Sequence, residues 1–136
     1  MHVSRLVNVV DVGRPINPRI VETQLSGASI MQLGFTMFER MDFEAGQMTN
    51  ASLADYKIPG LHDLPRVIEN EAVDSYEPSG PFGAKGVGET ATFAVSPAIA
   101  NAIEDAVGVR LKELPLTPEA VYRALRVASG QPLAEE

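Results

Sequence analysis

A chain of 136 residues carries 18 Asp and Glu against 11 Lys and Arg, a formal net charge of -7, so it has no basic face on which a nucleic-acid backbone could lie. It contains no cysteine, which excludes a disulfide and thiolate ligation of an iron-sulfur cluster, and places any electron relay on another polypeptide. Its length suits one modest core that hides roughly two-thirds of the unfolded surface, and its longest charge-free apolar stretch, Leu25 to Phe38, falls short of the about 20 residues that span a bilayer. Met1-His2-Val3-Ser4-Arg5 leads into no long apolar h-region, so the expected compartment is the cytoplasm.

Leu6-Val7-Asn8-Val9-Val10 is β-branched enough to predict a strand from Arg5 to Val12, ending at Asp11-Val12-Gly13. Asn17 before Pro18 predicts an N-cap with proline at the first helical position, where its missing N–H costs nothing. That helix is expected to run to about Arg40. From Gly27 to Phe38 it has no charge, and Ser29, Gln32 and Thr36 share one uncharged stripe, which predicts burial on nearly every side. Gly27, Ala28 and Gly34 are small enough to admit a close neighbour. Phe43 to Pro65, broken by Ala45-Gly46 and Pro59-Gly60, reads as a long ordered loop. Val67 to Val73 alternates well enough for one strand. Helical pieces are expected at Glu89 to Val95 and at Pro97 to Val107, with Pro97 opening the second and Gly108 closing it. Leu111 to Leu116 is an extended link, Thr117 caps a last helix through about Val127, and a frayed tail is expected over 129–136. So few strands make no independently stable sheet. The expected fold class is therefore α+β, with helices packed on a small, incomplete sheet whose other strands lie elsewhere.

Between the second strand and the later helices, Gly80-Pro81-Phe82-Gly83-Ala84-Lys85-Gly86-Val87-Gly88-Glu89-Thr90 brings four glycines and a proline to one carboxylate. Glycine lets a backbone approach a bulky ligand, so Gly83, Gly86 and Gly88 are candidates to bring main-chain N–H groups against a large anionic cofactor. The plain alternative is a mobile surface loop whose glutamate favours a helix start. A P-loop is excluded: only Ala84 separates Gly83 from Lys85, and Gly86 stands where Ser or Thr would bind magnesium. His2 and His62 are too few and too far apart to suggest a metal site, and His62 reads as a loop residue.

GPFGAKGVGET followed by PAIANAIEDAVGVRLKELPLTPEAV, with DVGRPINPRIVETQLSGASIMQLGF and NASLADYKIPGLHDLP upstream, resembles the C-terminal end of the molybdenum-binding subunit of the xanthine dehydrogenase and aldehyde oxidase family of molybdenum hydroxylases. The motifs stand in the family's order from about Val7 to about Leu125. The resemblance implies that residues 1–128 are the C-terminal portion of the molybdopterin-binding domain of an oxidoreductase. That enzyme would hydroxylate an aldehyde or an aromatic N-heterocycle with water as the oxygen source. The implied cofactor is molybdopterin, in its cytosine dinucleotide form, with iron-sulfur clusters and FAD on partner subunits. The implied partners are the remaining part of the molybdopterin-binding subunit, an iron-sulfur subunit, an FAD subunit and a small-molecule substrate. Without them the chain is expected to be inactive and to self-associate.

By the same resemblance, Glu89 is the catalytic base of the KGVGE motif. A water-poor glycine loop would favour its protonated form and suit it to work near neutral pH, whereas Lys85, four residues earlier, would favour the charged form; the sequence leaves both open. Gln24 aligns with a glutamine that hydrogen-bonds the pterin, the alternative being a solvent-facing helix residue. Lys85, Gly86 and Val87 would offer backbone contacts to the pterin. Asp11 would lie near the dinucleotide end, and a strand-end aspartate satisfying a turn is an equal reading. Many members carry Gln-Gly where this chain has Met31-Gln32, a departure that leaves any contact by that helix turn open. Two rivals keep the fold: a non-catalytic assembly module that docks through its apolar surface, and a member working reductively, as in the acyl-CoA reductase branch.

Overall fold

Residues 1–132 are described by a computed structural model. Strand β1 (Arg5–Asp11) and strand β4 (Val67–Val73) pair in parallel, in register from Arg5↔Val67 to Asp11↔Val73. Between them run helix α1 (Pro18–Met37) and a hairpin of two-residue strands, β2 (Phe43–Glu44) and β3 (Gln47–Met48). After β4 come single 3-10 turns at Pro81–Gly83 and Thr90–Thr92, then helix α2 (Val95–Val107) and helix α3 (Pro118–Ala128). The fold is α+β, with helices packed on a small sheet.

Alternation along β1 decides which face of the sheet is covered. Asn8 is buried and Leu6 and Val10 are half-buried on the helix side, while Arg5, Val7 and Val9 point outward and are exposed. Asn8 and Asn70 are register partners, and both turn their amides toward α1. Asn8 Nδ2 donates to Asn70 Oδ1 at 2.8 Å and to Ser29 Oγ at 3.1 Å, while Asn70 Nδ2 donates to Ser26 Oγ at 2.7 Å. Four buried or half-buried polar side chains thus satisfy one another, as interior polar groups must.

The core falls into two clusters. Leu33, Met37, Val95, Ile99, Leu116 and Val121 join the C-terminal half of α1 to α2 and α3. Leu25, Ala28 and Ala91, with Val10, Val21 and Val87 against them, fill the space under the glycine loop. The uncharged stripe of α1 is spent inside: Gln32 Nε2 donates to Ser96 Oγ at 2.6 Å, and Thr36 Oγ1 shares a 2.7 Å hydrogen bond with the same hydroxyl. Burial is less complete than the lack of charge predicts, because Gly27 and Phe35 remain exposed.

Four elements differ from expectation. Helix α1 ends at Met37 and not near Arg40, because the N–H groups of Phe38 and Glu39 both bond to the Gly34 carbonyl, at 2.9 Å each, and draw the chain out of the helix. Gly34 is needed there: an added Cβ would lie 3.0 Å from Pro59 Cδ. The expected loop contains the β2–β3 hairpin, turned by Ala45 and Gly46 at φ 48° and 82°, the mirror-image turn that matches strand twist. Helix α2 begins at Val95, so Pro97 lies inside its first turn, where N–H groups lack helical partners anyway. The helical piece expected over Glu89 to Val95 shrinks to the Thr90–Thr92 turn.

Asn17 and Thr117 cap α1 and α3, accepting from Ile20 N and Ala120 N at 3.2 and 3.1 Å. Gly108 closes α2 in the left-handed region at φ 74°. Of the tail expected to fray, Ser129 and Gln131 donate to Leu125 and Arg126 carbonyls and Arg126 donates to the Pro132 carbonyl; residues 133–136 lie outside the described residues. Among the described residues no helix is long and apolar enough to cross a membrane.

Candidate functional site

Parallel pairing brings the C-terminal ends of β1 and β4 to the same edge, and the glycine loop docks there. Gly13 and Ala84 form an antiparallel bridge; Arg14 N donates to Gly83 O at 2.7 Å, and Lys85 N to Val12 O at 2.9 Å. Residues 83–85 therefore continue the sheet beyond the end of β1. Gly13 makes the approach feasible: at φ +60° it has no room for a side chain, since a Cβ would sit 2.5 Å from Gly83 O.

Asp11, the last residue of β1, gathers this edge. Its Oδ1 accepts from Gly13 N at 2.9 Å and from Ser75 Oγ at 2.6 Å, and its Oδ2 accepts from Lys85 Nζ at 2.7 Å. The Lys85 ammonium first, then the Ser75 hydroxyl and the Gly13 N–H, hold the Asp11 carboxyl well below the usual carboxylate range. Lys85 thus faces Asp11, and no ion pair joins Lys85 to Glu89 among the described residues.

At the far end of the loop Gln24, from α1, donates through Nε2 to the Gly88 carbonyl at 2.8 Å. Val87 between the anchors packs on Leu25, Ala28 and Ala91. Glu89 follows at the start of the Thr90–Thr92 turn, its carbonyl accepting from Thr92 N and Oγ1 at 2.9 and 2.7 Å. Its backbone is fixed, yet its carboxylate is exposed and takes no hydrogen bond from the described residues. The dry setting expected for it is not built from these residues. On the following residue, Thr90 Oγ1 is buried with no hydrogen-bond partner among the described residues. A cleft of about 270 Å³ separates the start of α1 from the loop, lined by Val12, Arg14, Asn17, Gln24, Lys85 and Val87.

The glycines divide into two kinds. Gly83 is buried at φ +82°, its carbonyl accepts from Arg14 N and Glu77 N, and an added Cβ would meet the Tyr76 ring at 2.3 Å. It serves the chain's own geometry, which corrects its expected place against a ligand. Gly86 and Gly88 have no positive φ, and a Cβ at either would meet nothing within 4 Å. Nothing in the chain's packing demands glycine at those two positions.

Residues 1–65 match the family described as molybdopterin cofactor-binding domain. The chain is 38% identical over 128 residues to the xanthine dehydrogenase molybdenum-binding subunit of Escherichia coli, covering 93% of this chain and 17% of that subunit. It superposes on quinoline 2-oxidoreductase from Pseudomonas putida 86 with a TM-score of 0.81 and 32% identity, over 93% of this chain and 16% of that one. With the aldehyde oxidoreductase from Desulfovibrio desulfuricans the TM-score is 0.82 and the identity 34%, over 90% of this chain and 13% of that one. The chain belongs to the molybdenum hydroxylase family.

It spans less than a fifth of the length of these molybdenum hydroxylases. Of the residues singled out from the sequence, Gln24, Lys85, Gly86, Val87 and Glu89 come together along one loop and its cleft, and Asp11 stands behind them as the loop's anchor. The Lys85 N–H is committed to Val12, so it is not free for a ligand. Sequence reasoning missed Gly13, Ser75 and Thr90. Gly13 carried a signal, a glycine directly after a predicted strand; Ser75 carried none, because only the β1–β4 pairing brings it to Asp11.

Proposed function

We propose that this chain supplies the catalytic base and part of the cofactor cradle of a molybdenum-dependent oxidoreductase that hydroxylates an aldehyde or an aromatic N-heterocycle, with water as the oxygen source. The observation that carries the reading is the Glu89 carboxylate, open at the end of a loop fixed at both ends, beside glycines that the chain's own packing does not require.

The residues present fit a pterin cofactor. Backbone at Gly86 and Gly88 is accessible to a large ligand, Gln24 keeps its Oε1 and a second N–H for a heterocycle edge, and Thr90 Oγ1 lacks a partner. Gln24 and the Gly86–Val87 backbone would hold molybdopterin, in its cytosine dinucleotide form. When bound, the cofactor supplies two-electron redox chemistry. Glu89 holds and moves the proton: its carboxylate would accept one from the oxygen nucleophile, which attacks an electron-poor carbon of the substrate as the hydrogen on that carbon leaves with its bonding pair, the two electrons that the cofactor would take up. Exclusion of water from Glu89 falls to the remaining part of the molybdenum-binding subunit. Iron-sulfur and FAD subunits would carry the electrons onward, in the cytoplasm.

The test is Glu89→Gln in the assembled enzyme. Turnover should fall by about 10²–10⁴-fold with molybdenum content unchanged, as loss of a general base requires. Near-normal turnover would sink the assignment.

A further inference from the structure

We propose that Asp11 is a positioning residue for Glu89, acting through Lys85 to fix the glycine loop on the end of β1; this rests on the reading of Glu89 as the base. Both Asp11 oxygens are occupied by donors from three segments: Gly13 N after β1, Ser75 Oγ after β4, and Lys85 Nζ in the loop. Both oxygens of this carboxylate are thus engaged within the chain. The main-chain bonds Arg14 N to Gly83 O and Lys85 N to Val12 O lie beside it, so the ion pair locks a short strand-like contact in one alignment.

Position passes from Lys85 to Glu89 through Gly86-Val87-Gly88, a segment whose two glycines are unconfined by neighbours. Val87 packs on Leu25, Ala28 and Ala91 in its middle, and grips on both sides fix its two ends. Gln24 at Gly88 grips one side and Asp11 at Lys85 the other. The two side chains of the ion pair keep 35% and 44% of their surface exposed, so solvent screens the pair and it adds little to global stability. A role in stability and a role in placement therefore make different forecasts.

The test compares Asp11→Asn, Lys85→Met and Lys85→Arg. In the 136-residue chain, amide hydrogen exchange at Lys85, whose N–H bonds to the Val12 carbonyl, should speed up by about tenfold or more in Asp11→Asn and Lys85→Met, with little change in melting temperature. Lys85→Arg, which keeps the charge, should retain the protection. In the assembled enzyme, Asp11→Asn should lower kcat by on the order of 10²-fold while KM and molybdenum content stay put, as expected when a catalytic group is misplaced. Unchanged exchange in Lys85→Met would overturn the proposal, as would faster exchange with unchanged kcat. A melting temperature that falls in step with the exchange change would make Asp11 a structural residue and overturn it as well. Glu89→Gln in parallel separates the two readings: if that variant turns over normally, the base assignment has failed whatever the loop does.

Discussion

The side-chain amide of Gln24 donates to the main-chain carbonyl of Gly88, joining helix α1 to the residue before Glu89 across 64 positions of sequence. One donor of that amide is spent on the loop, so truncation removes both a loop anchor and a candidate cofactor contact. Gln24→Ala should therefore reduce molybdenum retained by the assembled enzyme. Gln32→Ala is the contrast: it removes the bond to Ser96, whose hydroxyl keeps Thr36, and should cost about 0.5–1.5 kcal/mol of stability, with molybdenum retained. Equal metal loss in both variants would return Gln24 to a structural role.

The two kinds of glycine should separate in a denaturation experiment. Gly13→Ala and Gly83→Ala place a Cβ 2.5 Å from a carbonyl oxygen and 2.3 Å from a tyrosine ring. Both also need a positive φ, and each should lower stability by on the order of 2 kcal/mol. Gly86→Ala and Gly88→Ala meet no atom of the chain, so melting should be unchanged or slightly raised, while cofactor content of the assembled enzyme falls. Unimpaired cofactor binding in the second pair would show that those glycines admit no ligand.

Acid should leave the Asp11 anchor in place longer than an ordinary carboxylate would allow. The folded-state value lies below that of the unfolded chain, about 3.9 for aspartate, because Lys85, Ser75 and Gly13 favour the ionised form. Its contribution is thus complete above the unfolded value and is lost only as pH falls through the lower folded one. Carboxyl carbon shifts followed by NMR should show Asp11 still ionised below the ordinary aspartate value, and Lys85→Met should move its midpoint upward. A wild-type midpoint at the ordinary value would refute the triple contact.

The outer face of the β1–β4 sheet should drive association of the isolated chain. Val7 and Val9 are 53% and 61% exposed opposite Glu69 and Glu71, with Val67 and Val73 at 42% and 41% at the two ends of β4 on the same face. Parallel sheets are ordinarily covered on both faces. Sedimentation at micromolar concentration should show self-association that is relieved when Val7 and Val9 are both replaced by lysine. A monodisperse unsubstituted chain would contradict this.

What could be read from the sequence was local. Asn17-Pro18 and Thr117-Pro118 announced their helices because a cap is decided within three residues, and both long strands declared themselves by β-branching. The Ala45-Gly46 hairpin stayed hidden because alanine rarely adopts a positive φ. The role of Asp11 was hidden for a different reason: its partners Ser75 and Lys85 lie 64 and 74 positions away and arrive only through the strand pairing. The motif singled out Glu89 as a candidate, but its exposure could not be read from the sequence, since it depends on which surfaces surround the loop.

Asn8 and Asn70 sit 62 positions apart, and their amides meet between the strands and Ser26 and Ser29 of α1. A slip of one residue in either strand would turn its asparagine to the opposite face and strand the partner's polar groups. Closing so long a loop carries an entropic cost that a local helix does not face, so we predict that α1 consolidates before the sheet. Ser29→Ala should then slow folding more than an equally destabilising change at Asn70. The two serines act as a template on which each incoming strand is checked for alignment, and the edge that carries the glycine loop inherits its accuracy from that proofreading.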